Sequence, residues 1–163
     1  MIIKVKNKNT LILDDFKFKC CVGKNGISNQ KKEGDKKTPR GTFQLGDLYF
    51  RKDRISKLET NLKTVPISKN MGWCDDIKSI KYNKIIRATK KLKYEKMYRK
   101  DANYDFLIPI KYNYKKPISG RGSAIFLHLT KDYKKTLGCV AIKKRDMMIL
   151  IRLINKKTKI KID

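Results

Sequence analysis

The chain has one histidine, no Cys-x-x-Cys pair among its four cysteines, and only 15 Asp plus Glu in 163 residues. Zinc therefore has no seat, because its sites gather Cys and His at short spacings, and neither a metal nor a cofactor is expected. Cys20, Cys21, Cys74 and Cys139 do not make a disulfide framework in a chain that is 40% hydrophobic and long enough to build a core. No stretch approaches the roughly eighteen apolar residues that cross a bilayer. The opening Met-Ile-Ile-Lys-Val-Lys-Asn breaks its apolar residues with lysines and lacks a secretory signal's continuous apolar region.

Acid is scarce against 42 Lys plus Arg, which gives a net charge of +27. Such a balance raises nucleic acid or another polyanion as a partner. Only eight of the cations are arginine, whose planar fork suits phosphates and guanine edges better than the lysine point charge. Abundant Lys, Ile and Asn match AT-rich codons, so the charge reads as a solvated lysine surface with no specific nucleic-acid partner.

Length favours one domain over residues 1–163. Ile3 and Val5, Leu11 and Leu13, then Phe16, Phe18, Cys20 and Val22 recur at every second position, the spacing of half-buried strands. Short polar breaks make these consecutive antiparallel strands, with Cys20 a small core residue. Residues 23–41, rich in glycine, predict a long polar loop before a strand over Thr42–Arg51. Residues 52–81 show no clear period, 85–89 and 105–112 read as strands, and Tyr94–Lys100 reads as a short helical turn. Met147, Met148, Leu150, Ile151 and Ile154 follow helical spacing, and Lys157–Ile162 alternates as a closing strand. The expected fold is mainly β, with long loops and one C-terminal helix before a last strand.

His128 ends the apolar run Ala124-Ile125-Phe126-Leu127, and Cys139 opens another eleven residues later. A β-hairpin would place imidazole and thiol on neighbouring antiparallel strands. Imidazole can take a thiol proton, the thiolate can attack a carbonyl, and the imidazolium can protonate the leaving amine. Thr136, Leu137 and Gly138 precede the cysteine in a tight segment whose N–H groups could stabilise an oxyanion. Lys134, Lys135, Lys143, Lys144 and Arg145 flank it, so the local field is expected to favour the thiolate. On spacing alone, a core histidine and a small apolar cysteine remain the simpler account.

Ile125-Phe126-Leu127-His128 followed by Thr136-Leu137-Gly138-Cys139-Val140 resembles the signature of the YkuD-type L,D-transpeptidases. Upstream, Thr38-Pro39-Arg40-Gly41-Thr42-Phe43 is similar to that family's Thr-Pro-x-Gly-x-Phe element. Gly72-Trp73-Cys74-Asp75-Asp76, Tyr82-Asn83, Tyr104-Asp105 and Gly120-Arg121-Gly122-Ser123-Ala124 resemble a branch of its short members. The resemblance implies a β-sandwich-like catalytic domain that cleaves before the terminal D-residue of a peptidoglycan tetrapeptide stem. The acyl group would pass to Cys139, with His128 as base, and then to an amine of a second stem, forming a crosslink. Leu137 and Val140-Ala141 stand where many members carry His and Arg, which bears on acceptor choice. The resemblance also implies a cell-envelope or periplasmic setting, whereas the N-terminus leaves the cytoplasm open.

Two other readings are carried. The same Cys/His pair suits an L,D-carboxypeptidase or another peptide hydrolase, and the basic surface suits a non-catalytic module that binds peptidoglycan or nucleic acid. Trp73 and Arg121 are substrate-binding candidates, with a core anchor and an exposed turn residue as the simpler accounts. Asp75 and Asp76 read as loop solvation or capping, since neighbours on an extended chain point apart.

Overall fold

A computed structural model describes residues 1–163. The strands are β1 (Ile2–Lys6), β2 (Thr10–Leu13), β3 (Phe16–Cys21), β4 (Ile27–Ser28), β5 (Thr38–Pro39), β6 (Gly41–Gln44), β7 (Leu48–Phe50) and β8 (Thr64–Pro66). They continue as β9 (Met71–Cys74), β10 (Ile85–Arg87), β11 (Tyr94–Lys96), β12 (Phe106–Pro109), β13 (Phe126–Leu129) and β14 (Val140–Ile142). Helix α1 (Lys144–Leu153) and β15 (Lys159–Ile162) close the chain. The fold is mainly β, with the single helix before the last strand, as the sequence pattern predicts.

Ten strands form one sheet in the order β6-β15-β1-β2-β3-β14-β13-β12-β7-β8. It curls until edge strand β6 meets the segment after β12, through a bridge between Leu45 and Ile110. Alternation along the first strands drives this. Ile3, Val5, Leu11, Leu13, Ile160 and Ile162 turn inward and are fully buried, while Lys4, Lys6, Lys17, Lys19, Lys159 and Lys161 face out. The helix adds Met147, Leu150 and Ile151 to the same core, which also takes Ile108, Leu127, Val140 and Ile142 from the sheet's central strands.

Those central strands are buried on both faces. Leu127 and Leu129 enter the main core, whereas Phe126 turns the other way, into a smaller cluster with Ile67, Trp73, Met97, Tyr104, Leu107 and Cys139. The cover over this second face is a three-stranded sheet, β10-β9-β11.

Several expectations are corrected. The His128 and Cys139 segments are not a hairpin: β13 and β14 run parallel, with His128 opposite Ala141. The polar stretch between them must cross from one end of the sheet to the other, as every parallel connection does. The strand expected over Thr42–Arg51 is two strands, β6 and β7, interrupted at Gly46, whose N–H donates to the Pro109 carbonyl (2.8 Å). Residues 52–81 hold β8 and β9, and Tyr94–Lys96 is an edge strand rather than a helical turn. These strands are three or four residues long, too short to declare a period.

Candidate active site

Parallel register places Cys139 beside Phe126, whose N–H donates to Cys139 Sγ across 3.3 Å. His128 follows Phe126 by two residues and so projects from the same face of the sheet. Cys139 and His128 both line one cavity of about 590 Å³. Its walls come from the loop around Lys31 and Glu33, from β11 and the residues after it, and from the segment 129–138 between the two strands.

Three separated parts of the chain hold the cysteine in place. Thr136 donates from its N–H to the Val22 carbonyl (3.0 Å) and accepts from the Lys24 N–H (2.8 Å), which clips the pre-cysteine segment to the end of β3. Thr38, fully buried, accepts the Gly23 N–H on its Oγ1 (2.8 Å). A side chain at Gly23 would strike the Lys36 carbonyl oxygen at 2.4 Å, so glycine lets the Thr-Pro-x-Gly element lie against the strand end. Gly138 has φ +143, and the Lys37 carbonyl oxygen would stand 3.0 Å from a Cβ there.

On the other side, Cys139 Sγ donates to the Ala124 carbonyl (3.3 Å). Ala124 sits at φ +52 and donates its N–H to Asn83 Oδ1 (3.1 Å), which also accepts the Trp73 indole N–H (2.9 Å). Asn83 Nδ2 in turn donates to the carbonyls of Tyr112 (3.1 Å) and Asn113 (2.7 Å). One asparagine thus ties the Trp73 strand, the Tyr112 loop and the segment before β13 together beside the sulfur.

His128 Nδ1 lies 2.8 Å from the Leu129 carbonyl oxygen. A carbonyl only accepts, so Nδ1 carries the proton and Nε2 is the basic nitrogen. Tyr104 packs edge-on against the imidazole, with centroids 5.2 Å apart, and also against Phe126 at 5.9 Å.

Burial dominates the electrostatics. Only 8% of Cys139 and 8% of His128 is exposed. Desolvation pushes the Cys139 thiol up to about 12; the Phe126 N–H, Lys31 and Arg99 oppose this without overcoming it, and Glu95 reinforces it. Desolvation likewise lowers the His128 imidazole to about 4, against the Leu129 carbonyl's support for the charged ring. The expected thiolate-favouring field is therefore corrected: the flanking lysines stand in water while the sulfur does not. Lys134, for example, pairs with Asp132 (3.1 Å) with its side chain 87% exposed. The resting pair is a thiol and a neutral imidazole.

In the pre-cysteine segment the Gly138 N–H is already taken by Thr136 Oγ1 (3.1 Å), and the Thr136 hydroxyl donates to the Cys139 carbonyl (2.6 Å). The N–H groups of Leu137 and Cys139 make no hydrogen bond within the chain. Leu137 stands at the cavity rim, 74% exposed. Of the two substrate-binding candidates, Trp73 is buried, packs edge-on against Phe126 at 5.2 Å and does not line the cavity. Arg121 is exposed and also lies outside it, with its carbonyl accepting the Tyr112 hydroxyl (2.7 Å).

The structure adds wall residues that the sequence reading passed over. Lys31 is buried, with Nζ bound to Asp35 Oδ1 (2.6 Å) and the Lys32 carbonyl (2.7 Å). Glu33, Asp75, Glu95 and Arg99 complete the cavity's charged lining near the pair. Asp75 is on the cavity wall rather than in a solvated loop, while its neighbour Asp76 caps a turn through the Lys78 N–H (3.0 Å). Only the scarcity of acids in this chain could have drawn attention to them. No group of three or more His, Cys, Asp or Glu side chains is placed to hold a metal ion.

Residues 2–162 match the YkuD L,D-transpeptidase catalytic domain. The chain belongs to that family. Searches of curated proteins and of solved structures gave no match. Within this L,D-transpeptidase domain, the motifs that carry the resemblance converge on one place: Thr38 through Gly23, Asn83 through Ala124, and Thr136 to Cys139 on the cavity wall itself. No helix is long and apolar enough to cross a membrane.

Proposed function

We propose that residues 1–163 work as one catalytic domain that transfers acyl groups between peptidoglycan stem peptides through a thioester on Cys139. The observation that carries this reading is the shared cavity of Cys139 and His128, with the sulfur and the imidazole on adjacent parallel strands of a family member.

Nε2 of His128 accepts the thiol proton as Sγ bonds to the carbonyl carbon of the penultimate stem residue. The free N–H groups of Cys139 and Leu137 face the task of stabilising the oxyanion, since that of Gly138 is occupied. Collapse breaks the carbon–nitrogen bond, and the imidazolium protonates the departing D-residue's amine. An amine of a second stem then attacks the thioester, gives its proton to His128, and displaces the sulfur, which regains its proton. Because thiol and imidazole are both neutral at rest, proton transfer accompanies attack rather than preceding it.

Incubation with purified tetrapeptide muropeptides and mass analysis tests the reading. Crosslinked dimers with loss of the terminal D-residue are expected. Tripeptide alone would reassign the chain as a hydrolase, and unchanged substrate would overturn the proposal.

A further inference from the structure

The turn joining β9 to β10 and the turn after β12 are stitched together. Ser119 Oγ donates to the Ile77 carbonyl, Asn83 Nδ2 to the Asn113 carbonyl (2.7 Å), and the Gly122 N–H to the Tyr82 hydroxyl (3.0 Å). On these joined turns Ile77, Ile80, Tyr114 and Ile118 all stand exposed, Ile80 at 95%. An isoleucine so fully in water adds nothing to the fold, and four large apolar side chains gathered on two joined turns form a patch rather than scattered singles. The same turns carry Lys78, Lys81, Lys115, Lys116 and Arg121, all exposed, and none of them lies within ion-pair distance of a carboxylate. Exposed cations elsewhere do find acids, as Lys57 and Arg152 find Glu59, and Lys134 finds Asp132. Asp76, the one acid among residues 76–83 and 113–122, accepts the Lys78 N–H (3.0 Å) within its own turn.

We infer that this pair of turns is a docking surface for an anionic lipid membrane, with the isoleucines entering the headgroup layer and the cations meeting lipid phosphates. The inference goes beyond the reaction proposed for Cys139 and does not depend on it. Charge complementarity brings the surface to the membrane, since basic side chains are drawn to an anionic leaflet within about a Debye length. The apolar tips then decide the kind of polyanion. They gain by burial only where hydrocarbon lies within reach, which nucleic acid and glycan strands do not offer. A protruding tip such as Ile80 also suits a fluid interface, which closes round it without a preformed groove. The surface adjoins the cavity of Cys139: Glu33, on that cavity's wall, donates its N–H to the Gly120 carbonyl (2.8 Å) and accepts the Tyr82 hydroxyl. Docking therefore brings this wall of the cavity close to the lipid.

The test mixes the full chain with phosphatidylcholine vesicles that contain or lack phosphatidylglycerol and reads binding by sedimentation. Binding to the anionic vesicles is expected, and it should weaken as salt rises. A chain of net charge +27 attracts any polyanion, so a second set of lysines serves as the control. Lys78→Gln/Lys81→Gln/Lys115→Gln/Lys116→Gln should weaken binding roughly tenfold or more. Lys4→Gln/Lys6→Gln/Lys17→Gln/Lys159→Gln removes equal charge from the outer face of the large sheet and should cost less than about twofold. Ile77→Ser/Ile80→Ser/Ile118→Ser keeps the charge and should also weaken binding roughly tenfold. Every substituted side chain is exposed, so the variants fold as the wild type does. No binding to anionic vesicles, equal losses in the two lysine sets, or an isoleucine variant that binds like wild type overturns the inference. Double-stranded DNA that depends on the turn lysines more steeply than the vesicles do would reassign the surface to nucleic acid and overturn it as well.

Discussion

Cys139 Sγ is held between the N–H of Phe126 and the carbonyl of Ala124, each 3.3 Å away. A sulfur in this position is packed and hydrogen-bonded like a core residue while still lining the cavity. The thiol donates to a carbonyl, which favours its protonated form, while the Phe126 N–H that already donates to the sulfur supports the anion once that proton has left.

Replacing Cys139 by alanine should abolish turnover and every β-lactam adduct, while costing no more than about 1–2 kcal/mol of stability, the scale for losing one buried atom. Intact-protein mass after carbapenem treatment, alongside a urea melt, measures both. An adduct retained in Cys139→Ala would move the nucleophile to another residue.

His128→Gln should slow acylation by roughly 10²–10⁴-fold, the usual loss for a general base. In the wild type, with the imidazole lowered to about 4, the acid limb of kcat/KM should lie well below the ordinary histidine value of 6.5. A limb centred near 6.5 would show that the ring is hydrated in the working enzyme.

The same shifts set how stability depends on pH. His128 is harder to protonate folded than unfolded, so its contribution is full above 6.5 and is lost as pH falls towards 4. Cys139 is harder to deprotonate folded, so its contribution is full below 9.0 and is lost as pH rises towards 12. Urea midpoints of wild type and His128→Gln should diverge between pH 6.5 and 4, with the wild type declining more steeply; parallel curves would contradict the burial of the ring.

Asn83→Ala should destabilise by roughly 2–4 kcal/mol, because it strands the buried Trp73 indole N–H and removes bonds to Ala124, Tyr112 and Asn113. Acylation should slow as well, through the Ala124 carbonyl that contacts Cys139. Near-native stability in a melt followed by Trp73 fluorescence would deny Asn83 this joining role.

Long-period and motif-borne features were legible in the chain. The alternation from Ile3 to Cys20, the helical spacing from Met147 to Ile154 and the closing strand all reappear in the structure, because a half-buried strand or helix must repeat its apolar side at a fixed interval. The family resemblance rested on His128, Thr136–Cys139 and Thr38–Phe43, and the family match covers those residues. Short strands such as β9 and β11 were not legible, since three or four residues cannot show a period.

What the residues determined by themselves was therefore the mainly β character, the positions of the outer strands and helix, and which thiol and imidazole share a motif. The parallel pairing of β13 with β14 was decided elsewhere: β14 also pairs with β3, and the direction of a central strand is fixed by both neighbours and by the core beneath it. Tertiary structure alone likewise set Asp75 on the cavity wall, bound Asn83 to three segments and buried the sulfur so that desolvation outweighs the cations near it. Charge along a sequence says nothing of depth, and for ionisable groups depth outweighs neighbouring charges that remain in water.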